Sequence, residues 1–598
     1  MRVLLNQSQV ALRGGDVAKA EVALNEASKR YHEGGADAQV YQLQRLEADL
    51  DLLRALYAIE QFRWTPMKQK FPDTAGVVGR YLEALPPFGA GQDSGSPDAA
   101  AKWVSDSVVS ERIVAALDWL LMELCLFQVG QQNGESVAGE NDQPQDNRNK
   151  IDKLRAVLRK VDSDPYRDAV RDAIRSDSRG TLTELVDQPE ALKQPPRFAA
   201  VLGECKAIDV NRRRHIMEMA INQHPEDLGL LMTRGHIASD LQNGGLTEQL
   251  RWFQAAAAAA PEFPAAHINM GNALALNNQF ESAIGCYKKA IELAPLNPAT
   301  HLSLGLALYD HGQVGEAIAS YKLALHFAQF SNETRTEAHV ALASALYDIG
   351  QVNEAIAEFE KAIELDSKDP GPFFLLGDLL KEQGQFTESL AVIQRGDALG
   401  SNQPNWTISA FDLIRKAELR VAMDSKLPAF LNGEFEPADA EERTALAEVC
   451  MTRQLYRAAT GLYAAAFTLA PELADDLESE HRFNAVRAVA LATAGHGEDA
   501  ASMDDSEKTR LRQQSLDWLR ADFAIHRRQL KSDLPAVRTL SLTALHNWQD
   551  SKDLGSMREP ASLAQMSADE QEAFARFWTD VEALMKEAEA TLASRENK

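Results

Sequence analysis

Two histidine–carboxylate pairs are the residues of this sequence whose types and spacing could support acid–base or metal chemistry. Glu478 and His481 lie three residues apart and would share one face of a helix, and His32 adjoins Glu33. A metal site needs three or four converging ligands, and a nucleophilic site needs a third residue that orients the histidine. Neither pair has such partners in a recognisable motif, so we interpret both as surface pairs.

The glycine-rich and cysteine-bearing segments also lack a recognisable chemical motif. Gly89, Gly91 and Gly95 do not lie between a strand and a helix, as the glycines of a phosphate-binding loop do. The four cysteines are far apart and show no CxxC spacing; they are Cys125, Cys205, Cys286 and Cys450. The sequence therefore predicts no catalytic residues, no cofactor and no metal, and we expect a protein that is not an enzyme.

The composition is acidic, with 62 basic and 88 acidic residues and a formal net charge of −26. Binding to a phosphate backbone needs clustered lysines and arginines, and the densest cluster, Arg212 to Arg214, is interpreted as a solvated helix face. No run approaches the roughly 18 apolar residues of a membrane span, and the first residues do not resemble a signal peptide. We therefore expect a cytoplasmic protein with no nucleic-acid partner and no membrane insertion by this chain itself.

The helices that would position any site follow an internal repeat between Pro264 and Gly400. In rows of 34 residues, small residues align in columns, of which the first contains Gly271, Gly305, Ala343 and Gly377. The steps in this column are 34, 38 and 34 residues, so one junction carries a four-residue insertion. We place that insertion within residues 326–332.

This pattern resembles the tetratricopeptide repeat (TPR), a helix–turn–helix unit of 34 residues. Small residues occur where two helices must approach closely, and Tyr287, Tyr321 and Phe359 occupy a column where a larger hole remains. Each unit can bury its apolar face only against its neighbours. The resemblance implies an all-α fold: a TPR solenoid of antiparallel helix pairs with helical N- and C-terminal extensions.

Weaker periodicity divides the rest of the chain into further helical regions. Degenerate repeat columns recur on both sides of the clear array, and one polar segment rich in Gln, Asn, Asp and Gly lacks apolar anchors. The expected regions are an N-terminal helical region at 1–130, a disordered polar insertion at 131–150, degenerate TPR-like units at 151–263, the clear TPR array at 264–400, degenerate TPR-like helices at 401–480 and a C-terminal helical region at 481–598.

Several phrases outside the array look like the region downstream of the catalytic domain in planctomycete serine/threonine protein kinases that carry TPRs. They include VDSDPYRD at 161–168, LDWLRAD at 516–522 and FWTDV at 577–581. The catalytic motifs of those kinases are absent from this sequence, since it has no VAIK-like lysine, HRD, DFG or APE segment. The resemblance therefore implies the regulatory or sensor part of such a kinase, which could instead be the extracytoplasmic part of a membrane-anchored protein.

The TPR resemblance also predicts a partner groove, because the first helix of each unit lines the concave surface in this family. The residues predicted to line it are Ile268, Asn269, Asn272, Leu302, Leu306, Tyr309, Val340, Ser344, Tyr347, Phe374, Asp378 and Lys381. This set lacks the basic clamp of chaperone-docking members. Only Asn269 matches the asparagine ladder of O-linked N-acetylglucosamine transferases.

The hypothesis favoured by these features is a non-catalytic protein–protein interaction scaffold that binds a peptide or helix partner in the groove. Tyr309 and Tyr347 are interpreted either as partner contacts or as internal packing. Two alternatives stay open. One is the regulatory region of a serine/threonine kinase whose catalytic domain is missing from this chain, and the other is an accessory TPR protein like those of O-linked N-acetylglucosamine transferases.

Overall fold

The computed structural model describes residues 1–33, 39–66, 72, 74–89, 96–132, 144–239, 245–328, 332–401, 410–477 and 479–596. Within these ranges every regular element is an α-helix or a 3₁₀ helix, and no residue is in a strand. The predicted all-α class is therefore confirmed. The chain divides into two compact units, residues Met1–Gln351 and Val352–Lys598.

The first unit begins with an N-terminal helical region and continues into the clear repeats. Its helices are α1 (Arg2–Gly14), α2 (Val17–His32), α3 (Val40–Arg63), α4 (Thr74–Ala84), α5 (Pro97–Asp106), α6 (Ser110–Gln132), α7 (Pro144–Val161), α8 (Pro165–Arg175), α9 (Arg179–Val186), α10 (Pro196–Glu204), α11 (Val210–Gln223), α12 (Leu228–Ser239), α13 (Gly245–Ala259), α14 (Pro264–Leu276), α15 (Phe280–Leu293), α16 (Pro298–Asp310), α17 (Val314–Phe327) and α18 (Asn332–Asp348).

The first helical hairpin, α1 and α2, turns at a glycine followed by an aspartate. Gly15 has a φ of 75°, a left-handed conformation that glycine adopts without the strain of a Cβ. The next residue, Asp16, accepts a 3.0 Å hydrogen bond from the main-chain nitrogen of Lys19 and so caps the start of α2. The sequence GGD therefore ends one helix and begins the next within three residues.

The first two clear repeats pack an aromatic ring of the second helix against a glycine of the first. A Cβ added at Gly271 would lie 2.7 Å from the Tyr287 ring, and one at Gly305 would lie 2.5 Å from the Tyr321 ring. Both rings are buried. The aligned columns of glycine and aromatic residues are thus one contact repeated along the array.

The four-residue insertion lies in a helix and not in the junction before it. Helix α18 has 17 residues where α16 has 13, whereas α17 has 14 residues, as α15 does. The four extra residues therefore add about one turn at the start of α18, which begins at Asn332. The predicted interval of 326–332 is corrected to this helix start, and residues 329–331 lie outside the described ranges.

The polar segment at 131–150 is helical at its end. Helix α7 begins at Pro144, so residues 144–150 are not a disordered insertion as predicted. Ile151, Leu154 and Leu158 follow on the same helix and are buried, which anchors it to the core. Residues 133–143 of the predicted insertion lie outside the described ranges.

A buried ion pair joins α6 to α8 in the first unit. The guanidinium of Arg171 donates to both carboxylate oxygens of Asp118, over 2.7 and 2.9 Å, and to Asp162 over 2.6 Å. Burial raises the pKa of the Asp118 carboxyl, and the bonds from Arg171 oppose that shift. Asp162, which belongs to the phrase VDSDPYRD at 161–168, therefore takes part in the contacts of the arginine that joins the two helices.

The second unit contains the rest of the clear array and the C-terminal region. Its helices are α19 (Val352–Leu365), α20 (Gly371–Glu382), α21 (Phe386–Gly400), α22 (Phe411–Leu431), α23 (Ala440–Thr452), α24 (Tyr456–Leu469), α25 (Glu472–Asp475), α26 (His481–Thr493), α27 (Asp505–Gln529), α28 (Pro535–Asp550), α29 (Pro560–Leu563) and α30 (Ala568–Glu596). None of the helices described in either unit has the length and hydropathy that crossing a membrane requires.

The core of the C-terminal region is aromatic. Phe574, Phe577 and Trp578 of α30 are buried, and the indole nitrogen of Trp578 donates a 2.8 Å hydrogen bond to the carbonyl of Met557. The helix starts with a capping box, in which the main-chain nitrogen of Ser567 donates to the carboxylate of Glu570 over 3.1 Å.

Candidate partner-binding site

The histidine–carboxylate pairs do not form a reactive site in the described residues. His481 is buried, its Nδ1 lies 3.7 Å from Glu448, and burial lowers its pKa, while Glu478 lies outside the described ranges. The Nδ1 of His32 lies 2.8 Å from the carbonyl of Ser28 in its own helix. Among the described residues no group of His, Cys, Asp and Glu is arranged to hold a metal ion.

The four cysteines are buried and unpaired as disulfides. Burial raises the pKa of the Cys125 and Cys450 thiols to about 12, so both are protonated at neutral pH. A reactive cysteine instead has a lowered pKa and an accessible sulfur. These side chains act as small apolar residues of the core.

A cavity of about 290 Å³ in the first unit brings ionisable groups together, including Glu123, Glu204 and His236. Their contacts are internal: His236 Nδ1 lies 3.4 Å from Glu204, and the guanidinium of Arg63 lies 3.4 Å from the centre of the Trp119 ring. Burial raises the pKa of Glu123. Among the described residues, the lining also includes Thr74 and Lys206 but no serine or cysteine.

The predicted partner groove is partly occupied by the chain itself. The side-chain amide of Asn269 in α14 donates hydrogen bonds to the main-chain carbonyl of Trp64, over 2.5 Å, and to that of Ala265, over 2.8 Å. Trp64 is the residue that follows α3. The turn that ends α3 therefore occupies this part of the predicted groove.

Aromatic contacts hold the end of α3 against the repeats. The ring of Tyr57 meets Phe263 edge-on, with centroids 5.5 Å apart, and Trp64 meets His236 edge-on at 4.5 Å. Such pairs add to the apolar area that they bury. The N-terminal region is thus anchored beside α14 by a hydrogen bond and by ring packing.

Three of the predicted partner residues are inaccessible as a result of this packing or of packing within the repeats. Ile268, Asn269 and Leu302 are no more than 2% exposed. Because side chains so enclosed offer no surface to another molecule in this structure, we leave these three predicted contacts out of the proposed binding surface. Asn272 is half-buried, and its amide oxygen accepts a 2.6 Å hydrogen bond from the hydroxyl of Tyr287.

The other predicted residues of the first unit form a partly exposed surface on α16 and α18. We call Leu306, Tyr309, Val340, Ser344 and Tyr347 the tyrosine surface. Tyr347 is 37% exposed and the other four are half-buried. The hydroxyl of Tyr309 donates to the carboxylate of Asp348, which links the two helices.

Burial and the neighbouring Asp348 raise the pKa of Tyr309 to about 12. Its hydroxyl therefore stays protonated across the physiological range and serves as a donor. Ser344 donates within its own helix to the carbonyl of Val340, over 3.1 Å. The tyrosine surface thus presents apolar area with few polar groups that still need a partner.

The three predicted residues of the second unit lie on α20. Phe374 is half-buried, and Asp378 is exposed and pairs with Lys381, which is three residues further along the helix, over 3.0 Å. An exposed pair of this kind contributes little to stability. These residues remain predicted partner contacts.

A larger cleft, of about 910 Å³, lies in the first unit, and its lining includes residues of α16 and α18. Residues from two parts of the chain line it: Val17, Tyr57 and Phe62 come from the N-terminal helices, and Leu293, Pro298 and Ala299 come from the repeats. Its charged groups include Arg54, which pairs with Glu21 over 2.7 Å, and Arg80, whose guanidinium lies 4.0 Å from the centre of the Phe62 ring. We refer to this feature as the cleft.

Sequence reasoning missed the cleft because its two walls, drawn from residues 15–80 and 262–334, are far apart in the chain. The repeat pattern locates the wall made by α14 and α16. Nothing in the sequence indicates that α3 forms the other.

Comparison with known proteins identifies the repeats. The TPR repeat family matches residues 271–312 and 343–384. No curated protein is significantly similar to the sequence.

Solved structures similar to part of this chain include MamA 41-end from Desulfovibrio magneticus RS-1, with 20% identity, 30% of this chain and 98% of that chain covered and a TM-score of 0.26. YrrB, described as a TPR protein with an unusual peptide-binding site, has 19% identity, 31% and 93% coverage and a TM-score of 0.25. TTC0263, a thermophilic TPR protein of Thermus thermophilus, has 24% identity, 32% and 98% coverage and a TM-score of 0.25. The helix pairs of the array in this chain have the all-α tetratricopeptide-repeat fold.

Proposed function

We propose that this chain is a non-catalytic protein-interaction scaffold, and that an apolar peptide or helix of a partner protein binds across the cleft and the tyrosine surface. The observation that supports this most is the course of α16. Ala299 lines the cleft, and Leu306, seven residues later, lies on the same face of the helix in the tyrosine surface. One helix therefore joins the two features into one apolar path.

The size and chemistry of the cleft suit a peptide that carries large apolar side chains. Its volume of about 910 Å³ is near the upper end of the range for ligand pockets, roughly 300–1,000 Å³. Tyrosines give a partner a large contact area for little loss of side-chain freedom. Tyr347 and Tyr309 are therefore the residues from which we expect most of the binding energy.

The bond from Asn269 to Trp64 supports the idea that the repeats can hold a main-chain carbonyl of another segment. The amide recognises a carbonyl that any residue carries, so the contact is independent of side-chain type. Since the chain already fills this position, we place the partner further along, at α16 and α18. A partner there recognises the remaining surface by shape and apolar contact.

Selection from a displayed random-peptide library tests this function with the purified full chain as bait. We expect enriched peptides rich in Leu, Ile, Phe or Trp, whose affinity falls at least about tenfold in the variant Tyr309→Ala with Tyr347→Ala, a loss typical of truncated hot spots. The matched control is Tyr41→Ala, at a tyrosine of α3 that is 76% exposed and outside the cleft.

Helical circular dichroism of all variants checks that the fold is retained. Failure to enrich any apolar peptide would contradict the proposal. Equal peptide affinity of the double variant and the wild type would contradict the assigned surface.

A further inference from the structure

The first hairpin, formed by the amphipathic helices α1 and α2, exposes three valines on its outer face. Val3 and Val10 of α1 and Val22 of α2 are 68%, 71% and 70% exposed. They line one open groove between the two helices, with Ala11 and Ala23 among the other residues that line it. In a stack of helix pairs such a face is normally covered by the next pair.

The charges along α2 are arranged so that the helix complements itself. Asp16 and Lys19 lie on one side of the point midway between Val22 and Ala23, and Glu26 and Lys29 lie at the same distances on the other side. Asp16 and Glu26 are thus each matched by a lysine at the mirrored position, whereas the third acid, Glu21, pairs with Arg54 over 2.7 Å and does not line the groove. A second α2 running antiparallel would therefore set Lys19 against Glu26 and Asp16 against Lys29 of the other copy.

We propose that this face binds the same face of a second copy of the chain across a twofold axis. An isologous contact uses one patch twice, so that each unlike pair occurs twice. Val22 then lies near the axis and Val3 faces Val10 of the other copy. The occupant of the groove is a second copy because an unrelated partner would have no reason to match this antisymmetric order of charges.

The ion pairs within one copy leave the charges available. Lys19 contacts Asp16 over 2.7 Å and Arg30 contacts Glu26 over 3.1 Å, but all four side chains are more than a third exposed. Exposed pairs of this kind are weak and exchange easily. The patch itself spans two short helices, so we expect a weak dimer with a dissociation constant in the micromolar range.

Sedimentation velocity of the full chain over a range of concentrations tests the proposal with two charge reversals. Lys19→Glu places two carboxylates face to face across the axis, and Glu26→Lys places two ammonium groups face to face. Because like charges repel, each variant alone should dimerise at least about tenfold more weakly than the wild type. An equimolar mixture of the two variants should dimerise again, because one copy then carries both acids and the other both bases. Lys288→Glu, an exposed lysine of α15, is the control for net charge.

A second pair of variants tests the apolar part. Val22→Lys should abolish dimerisation, whereas Leu540→Lys, at a leucine of α28 that is 71% exposed, should leave it unchanged. A chain that stays monomeric at every concentration would overturn the proposal. Single charge variants that dimerise as the wild type does, or a mixture that fails to recover the dimer, would overturn it as well.

Discussion

The side-chain amide of Asn269 donates a 2.5 Å hydrogen bond to the main-chain carbonyl of Trp64, a residue 205 positions earlier in the chain. This contact ties the N-terminal helices to the first clear repeat. It also uses, for the chain itself, a position that the repeat resemblance assigns to a ligand. This is why we propose that a partner binds further along the repeats, at α16 and α18.

The first prediction concerns this bond. Asn269→Ala leaves the buried carbonyl of Trp64 without its donor, so we expect the first unit to lose about 1–3 kcal/mol of unfolding free energy. Denaturant titration followed by tryptophan fluorescence measures the change. The control is Asn277→Ala, at an exposed asparagine that follows α14, for which we expect little change. Equal stability of the two variants would show that the bond is not a structural one.

The second prediction concerns the contact between small and aromatic residues. Gly305→Ala would place a Cβ 2.5 Å from the Tyr321 ring, so the ring or the helix must move, and we expect a loss of about 1–3 kcal/mol. Gly285→Ala is the matched change in the neighbouring repeat, where no atom lies within 4 Å. Because alanine favours helix over glycine, that variant should gain roughly 0.5–1 kcal/mol. Thermal melts of both variants check the opposite signs, and a loss in both would contradict the packing described.

The third prediction concerns the buried pair of Asp118 and Arg171. Asp118→Ala leaves a guanidinium that is 1% exposed with fewer acceptors, and breaking such a pair costs about 3–5 kcal/mol. Asp152→Ala removes the carboxylate of an exposed pair with Arg175 and should cost less than about 1 kcal/mol. Denaturant midpoints of the two variants give the comparison. A small effect of Asp118→Ala would mean that the pair does not hold α6 to α8.

The fourth prediction is a pH dependence of the second unit. Burial lowers the pKa of His526 to about 4. The unfolded chain, with a histidine pKa of 6.5, takes up this proton first as the pH falls. His526 therefore destabilises the fold between pH 6.5 and 4, by roughly 3 kcal/mol in total.

A neighbouring carboxyl acts in the opposite direction. Burial raises the pKa of Asp522 to about 6, so the folded chain takes up this proton before the unfolded chain, whose aspartate has a pKa of 3.8. Protonation of Asp522 therefore stabilises the fold as the pH falls from 6 to 3.8. In the wild type the two contributions offset each other over much of this range.

Two variants separate these contributions. Asp522→Asn should make the unfolding free energy fall more steeply than that of the wild type between pH 6.5 and 4, and His526→Gln should make it fall less steeply. The slope is the relevant readout because Asp522→Asn also weakens a contact with Arg482 at every pH. Curves of the two variants that run parallel to the wild-type curve would contradict both pKa shifts.

The sequence predicts the structural features that follow the repeat period, and it misses the contacts that are made through main-chain atoms. The column of glycines facing Tyr287 and Tyr321 indicates the repeat fold because every repeat needs the same contact. The repeat period reveals that four residues are inserted between two clear repeats. It does not reveal whether they lie in the junction or in the helix that follows, so α18 was longer than expected. The carbonyl of Trp64 has no residue-specific character, and its pairing with Asn269 is therefore invisible in the sequence.

The candidate site, too, was only partly predictable from the sequence. Tyr309 and Tyr347 lie on the partly exposed surface where the repeat register puts them, whereas Ile268 and Leu302, in the same register, are buried. The register gives the direction in which a side chain points, but it does not show which surface another part of the chain covers. The second wall of the cleft comes from Tyr57 and Phe62, and no periodicity relates these residues to the repeats.

Amide hydrogen exchange of the full chain, with and without a library-selected apolar peptide, tests the central proposal most directly. We predict slower exchange on peptide binding in Pro298–Asp310 and Asn332–Asp348, the helices of the tyrosine surface, and little change in Asp505–Gln529. Protection confined to other helices, or no protection at saturating peptide, would contradict the account.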